Sequence, residues 1–173
     1  EKYEQQFTPT LVTADGLKEL KENNPSGYSE VCFKYGWSLL SYYDVPNDRD
    51  RYAAAAKWFQ FVESDDTEQG RIASIFCDIS ECTTKINDLH GGKVIQTQAL
   101  NEQRQILWNM VVDLCGKADD YTTDYKLQVW IEINNLINAN ISDFLLVASP
   151  ADLIARLETI QNSVNEINDT NPD

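Results

Sequence analysis

Apolar side chains recur every three or four residues along almost the whole of this chain, and no convincing apolar-polar alternation of the kind a half-buried strand needs interrupts them. A period close to 3.6 gathers such residues on one face of an α-helix. Proline and glycine cluster at Pro25-Ser26-Gly27, Pro46, Gly91-Gly92 and Pro150, where they punctuate the periodic segments. The expected fold is all-α: six or seven antiparallel amphipathic helices, as a hairpin array or a bundle. Periodicity does not choose between those two.

The segments follow in order. A polar lead-in over 1–12 precedes a short helix, Gly16–Asn23, with a narrow stripe of Leu17 and Leu20. Tyr28–Tyr43 carries Val31, Tyr35, Leu39 and Tyr42 on one stripe with Cys32, Leu40 and Tyr43 beside it, a broad buried face. Arg51–Glu63 opens with the small run Ala53 to Ala56 and supplies Trp58, Phe59 and Val62, so these two helices read as an antiparallel hairpin. Thr67 is placed to cap a long helix that ends at His90-Gly91-Gly92. Gln98–Ala118 forms another amphipathic face. Thr122–Leu146 is expected as one helix, apolar over more than half its circumference and packed between neighbours. Ser149 caps the last, with Pro150 at its first helical position. One helical domain over 13–167 and a flexible tail over 168–173 complete the expectation.

At 173 residues the chain is long enough to bury one substantial core. Its 28 acidic and 14 basic side chains leave a net charge of −14, which repels nucleic acid and anionic membrane over most of the surface. No apolar run reaches the roughly 18 to 20 residues that span a bilayer, and Asp143 interrupts the richest one. The first ten residues lack the basic start and apolar run of a signal peptide, and the chain reads as a fragment of a longer or processed one. Cys32, Cys77, Cys82 and Cys115 lie among apolar residues in helical segments, where a thiol serves as a small hydrophobe. Free thiols favour a cytoplasmic setting; an even count also fits disulfides in an exported form.

Chemistry finds little to stand on. His90 is the sole histidine and falls at a helix end, where a C-cap role outweighs catalysis, and a histidine-based metal site is excluded. Cys77 and Cys82 are five apart and point roughly 140° from each other around a helix, so they do not share a site. A serine or cysteine nucleophile needs a base within hydrogen-bond reach. The carboxylate pairs Asp65-Asp66, Asp78 with Glu81, and Asp119-Asp120 fit solvated faces and linkers. No catalytic residue, cofactor or metal is therefore expected, and the chain reads as a binding protein rather than an enzyme.

Gly36, the run Leu39, Leu40, Tyr42 and Tyr43, and then Ala55 with Phe59 four residues on, together resemble a tetratricopeptide repeat. The resemblance implies that Gly36 and Ala55 are close-approach positions between two helices and that Phe59 fills the groove to the next. It covers about 30 residues, its turn at Asp44–Asp50 is longer than the family's, and no second copy is clear. The order of features, including the Lys57-Trp58-Phe59 run, Leu107-Trp108 and Leu127 to Trp130, also resembles helical segments that follow kinase domains in some bacterial serine/threonine protein kinases. No kinase signature occurs in this chain.

The resemblance implies a protein-interaction module holding a peptide or neighbouring domain, for example as a docking region of a signalling kinase. Aromatic residues suit such interfaces as well as cores. The partner-binding candidates are Tyr35, Trp37, Tyr42, Trp58 and Trp108, with Trp37 and Trp108 at the edges of their stripes. Arg49, Arg51 and Lys57 make a short basic island, expected to pair locally with Asp48 and Asp50. The competing expectation is an assembly subunit that self-associates through the apolar helix Thr122–Leu146.

Overall fold

A computed structural model describes residues 14–42 and 48–170, with the side chains of 14, 15 and 41–50 outside the description. Its described residues form eight α-helices and no strand: α1 (Ala14–Asn23), α2 (Pro25–Tyr42), α3 (Asp48–Phe59), α4 (Glu68–His90), α5 (Thr97–Lys117), α6 (Thr123–Ala139), α7 (Ile141–Phe144) and α8 (Pro150–Thr170), with a 3-10 turn at Ala118–Asp120. The expected all-α class is the observed one. The chain divides into two compact units, Glu1–Glu81 and Cys82–Asp173, the boundary falling inside α4.

In unit 1, α2 packs against both α1 and α3. The Pro25-Ser26-Gly27 cluster marks the boundary between α1 and α2 as expected, and the second helix begins at Pro25 rather than at Tyr28. Asn24 closes α1 through its backbone N–H to the Leu20 carbonyl at 2.7 Å, and its side chain then accepts the Gly27 N–H at 3.0 Å. An asparagine cap followed by proline in the first turn is a favourable helix start, since proline's missing N–H would have been an orphan there. Cys32, Phe33, Tyr35, Leu39 and Leu40 of α2 are buried on a broad face.

The α2–α3 hairpin closes where side chains are smallest. A Cβ built on Gly36 would lie 2.7 Å from the Phe59 ring and 3.1 Å from the Ala55 carbonyl oxygen. Only glycine allows this approach without displacement. The third helix is shorter than its pattern: α3 ends at Phe59, and Gln60 to Glu63 continue as turns that bury Val62. Thr67 caps α4 as expected, its Oγ1 accepting the Gly70 N–H at 3.0 Å. The Asp65 carbonyl oxygen occupies the place where a Gly70 Cβ would be, so this glycine lets the entering turn pass over the first turn of the helix.

In unit 2, α6 packs on α5 and α8, and α7 packs on α5 and α6. Leu107, Val111 and Leu114 of α5 meet a core that includes Trp130, Ile133, Leu136 and Ile137 of α6. Trp130 satisfies its indole by donating to Asp119 Oδ1 at 3.0 Å, with Lys126 Nζ 3.7 Å from the same oxygen. Asp119 is exposed in the connection between two helices, as its sequence suggests, and it also anchors the 3-10 turn to α6. Ser149 caps α8 by accepting the Asp152 N–H at 3.1 Å, and α8 continues to Thr170.

The single helix expected over Thr122–Leu146 is broken. Asn140 leaves helical geometry at φ −117°, ψ 22°, and its side-chain amide donates back to the Leu136 carbonyl at 2.9 Å. Asparagine's short amide competes for backbone groups in this way, which ends helices. A second short segment then starts, held by Phe144 N–H to the Asn140 carbonyl and Leu145 N–H to the Ile141 carbonyl, both 3.0 Å.

Candidate functional site

The break at Asn140 changes which apolar residues face solvent. In a helical segment successive residues are 100° apart, so Ile141 and Leu145 share one side, Ser142 and Leu146 extend it, and Asp143, Phe144 and Val147 occupy the other. Burial follows that division. Phe144 is 0% exposed and its ring lies 5.1 Å from that of Trp108. Ile141 is 40%, Leu145 48% and Leu146 64% exposed. A segment of fewer than two turns therefore anchors itself with an aromatic on one side and shows three aliphatic side chains on the other.

A charged contact fixes the orientation of this segment. Asp143 Oδ1 accepts from Arg104 Nε of α5 at 2.7 Å and lies 3.1 Å from His90 Nε2 at the end of α4. The Arg104 guanidinium also donates from Nη1 to Asn101 Oδ1 at 2.9 Å. Arg104 is buried and Asp143 is nearly so, which makes the pair more than a screened surface contact. His90 does end α4, as expected, and it also turns its ring to Asp143.

The aromatic candidates fall into separate settings. Tyr35 is buried and its ring centroid is 4.2 Å from that of half-buried Trp58. Trp37 is half-buried in another cluster, stacked on Phe33 at 5.6 Å and edge-on to Phe76 at 6.3 Å. Tyr35 and Trp37 are two residues apart on α2, hence about 200° apart around it, and the structure does not bring them together. Trp108 belongs to unit 2, is 7% exposed and spends its ring on Phe144. The Tyr42 side chain lies outside the described residues, as do those of Arg49, Asp48 and Asp50. Arg51 is buried, its guanidinium donating to the Tyr52 hydroxyl at 3.0 Å and lying over that ring.

Unit 1 holds two polar places with groups that could take part in chemistry. An open cleft of about 580 Å³ in unit 1 is lined by Ser26 and Ser29 of α2 and by Asp65, Asp66 and Thr67 before α4. Its hydroxyls have no histidine in their unit to activate them, since His90 is the chain's single histidine. Near Cys77, burial raises the Asp78 carboxyl above its ordinary range, and the Glu63 and Glu81 charges add to that. Burial likewise pushes the Cys77 thiol up to about 12, aided by the charge and hydrogen bond of Glu63. A thiol so raised is a poor nucleophile at neutral pH, because the thiolate is the reactive form. In the folded chain at pH 8, iodoacetamide should leave Cys77 unmodified over the time that fully labels the urea-unfolded chain. Labelling at the unfolded rate, read by peptide mass spectrometry, would contradict this environment.

Among the described residues no group of three or more His, Cys, Asp or Glu side chains is arranged to hold a metal ion, and no helix is long and apolar enough to cross a membrane. The four cysteines are thiols, with none in a disulfide. Comparison with protein families, with curated proteins and with solved structures finds no match to this chain.

The sequence did not single out Ile141, Leu145 or Leu146, since a continuous apolar helix would bury them. The signal that could have found them is Asn138-Ala139-Asn140-Ile141-Ser142-Asp143, where three helix-capping residue types crowd the middle of the apolar run.

Proposed function

We propose that this chain is a non-catalytic, tetratricopeptide-like helical module that binds another protein through the outward face of α7 and the turn that follows it. The observation that carries this reading is the exposure of Ile141, Leu145 and Leu146 from a short segment whose opposite side is anchored by fully buried Phe144. Large aliphatic side chains grouped on a rigid element cost solvation in the free protein and gain about 25 cal/mol per Å² when covered. The close approach of Gly36 to Phe59 and Ala55 supports the repeat-like reading of the α2–α3 hairpin. A docking region of a signalling kinase is one setting for such a module, and a kinase domain in the same reading frame would support it.

Tyr35, Trp37, Trp58 and Trp108 serve this function as scaffold. Self-association through Thr122–Leu146 would draw on the same aliphatic side chains or on half-buried Leu127 and Ile131, because Val129, Trp130, Ile133, Leu136 and Ile137 are already buried within unit 2. The test is affinity capture with the native chain and a Leu145→Ser/Leu146→Ser variant whose circular dichroism is unchanged. Proteins retained by the native chain and by a Phe61→Ser control, but lost from the α7 variant, support the reading. Identical captures from all three would sink it.

A further inference from the structure

Resting on that reading, we infer that the occupant of the α7 face is a short amphipathic helix of another protein, with aliphatic anchors and flanking Lys or Arg residues, rather than a second copy of this chain. Two observations select it. The first is size. Ile141, Leu145 and Leu146 are partly exposed side chains on fewer than two helical turns, far short of the roughly 800 Å² per partner that a stable protein pair buries. A patch this small matches the few anchors, spaced i, i+3, i+4 and i+7, that a peptide helix presents to its receptor.

The second is charge. A second copy would bring a net −14 against −14, whereas a basic helix is steered toward an acidic surface and loses nothing at the apolar contact. The one charged side chain of the segment is already committed. Asp143 is engaged by Arg104 and His90, so the cationic flanks of the partner would meet the general acidic surface and the anchors would meet the aliphatic side chains. Affinity then comes from the anchors, and selection against acidic helices comes from the field.

Two synthetic helical peptides with the same leucine face, one flanked by lysines and one by glutamates, test this by fluorescence anisotropy against the full chain. The expected result is binding of the lysine-flanked peptide, weakened about tenfold or more by Leu145→Ser/Leu146→Ser, as loss of two central anchors requires, with no binding of the glutamate-flanked one. Equal binding of both peptides, lost in the variant, would overturn the charge selection while leaving α7 as the docking face. Equal binding of the lysine peptide to native chain and variant would show attraction to acidic surface alone and would overturn the inference and the reading beneath it. Neither peptide binding would overturn the inference. So would concentration-dependent dimerisation abolished by the same variant in sedimentation, by naming a second copy as the occupant.

Discussion

Truncating Phe59 to alanine should destabilise unit 1 by about 4 kcal/mol, the range for removing a fully buried aromatic ring. Phe59 is 0% exposed and its ring centroid lies 5.7 Å from Phe33 and 6.1 Å from Phe76, so it joins α2, α3 and α4. Its edge rests on Gly36, and that contact makes a sharper prediction than the loss itself. Gly36→Ala gains about 1 kcal/mol of helix propensity, yet in the native background it should cost about 2 kcal/mol net because the added methyl meets the ring. In the Phe59→Ala background the ring is gone, and the same substitution should lose most of that cost, the Ala55 carbonyl oxygen at 3.1 Å being the contact that remains. Urea unfolding of the four proteins measures the coupling. An equal cost of Gly36→Ala in both backgrounds would mean that Phe59 does not dictate the glycine.

The second large effect is expected at Asp143. Replacing it with alanine leaves the Arg104 guanidinium buried and without its 2.7 Å carboxylate, and breaking a buried pair from one side costs about 3 kcal/mol. The pair itself need not be strongly favourable, because desolvation offsets much of the attraction between its charges. Arg104→Met with Asp143→Leu should therefore recover most of the loss, which separates a stranded charge from a lost contact. Amide hydrogen exchange at Phe144 to Val147 should rise in Asp143→Ala and return toward native in the double variant. A cost below about 1 kcal/mol for Asp143→Ala would place the pair with ordinary surface contacts.

Much of the helical architecture was legible because period and punctuation are local. Thr67 and Ser149 could be read as caps from the residues beside them, and both hold the expected N–H groups. Gly36, Ala55 and Phe59 were legible as a close approach through the resemblance of their spacing to a tetratricopeptide repeat. Boundaries were less so. Pro25 signals a break and a helix start equally well, and the choice rests on Asn24, whose side chain reaches the Gly27 N–H. The Asn140 break was hidden by apolar residues on both sides of it, which keep the helical period although the backbone does not. The contacts of Asp119 and Asp143 were not legible at all, since Trp130 and Arg104 lie 11 and 39 residues away in sequence. Aromatic residues were singled out for size, which selects core and interface alike; exposure on a packed element is what separates the two.

That α4 carries the boundary between the units has a consequence for how this chain can be inherited or recombined. A cut between Glu81 and Cys82 would leave unit 2 beginning with the remnant Cys82–His90, shorter than the roughly 12 residues at which an isolated helix becomes even marginal in water. Unit 1 would end on carbonyls stripped of their partners in the following turn. A gene that shuffles either unit alone has to replace the missing part of α4.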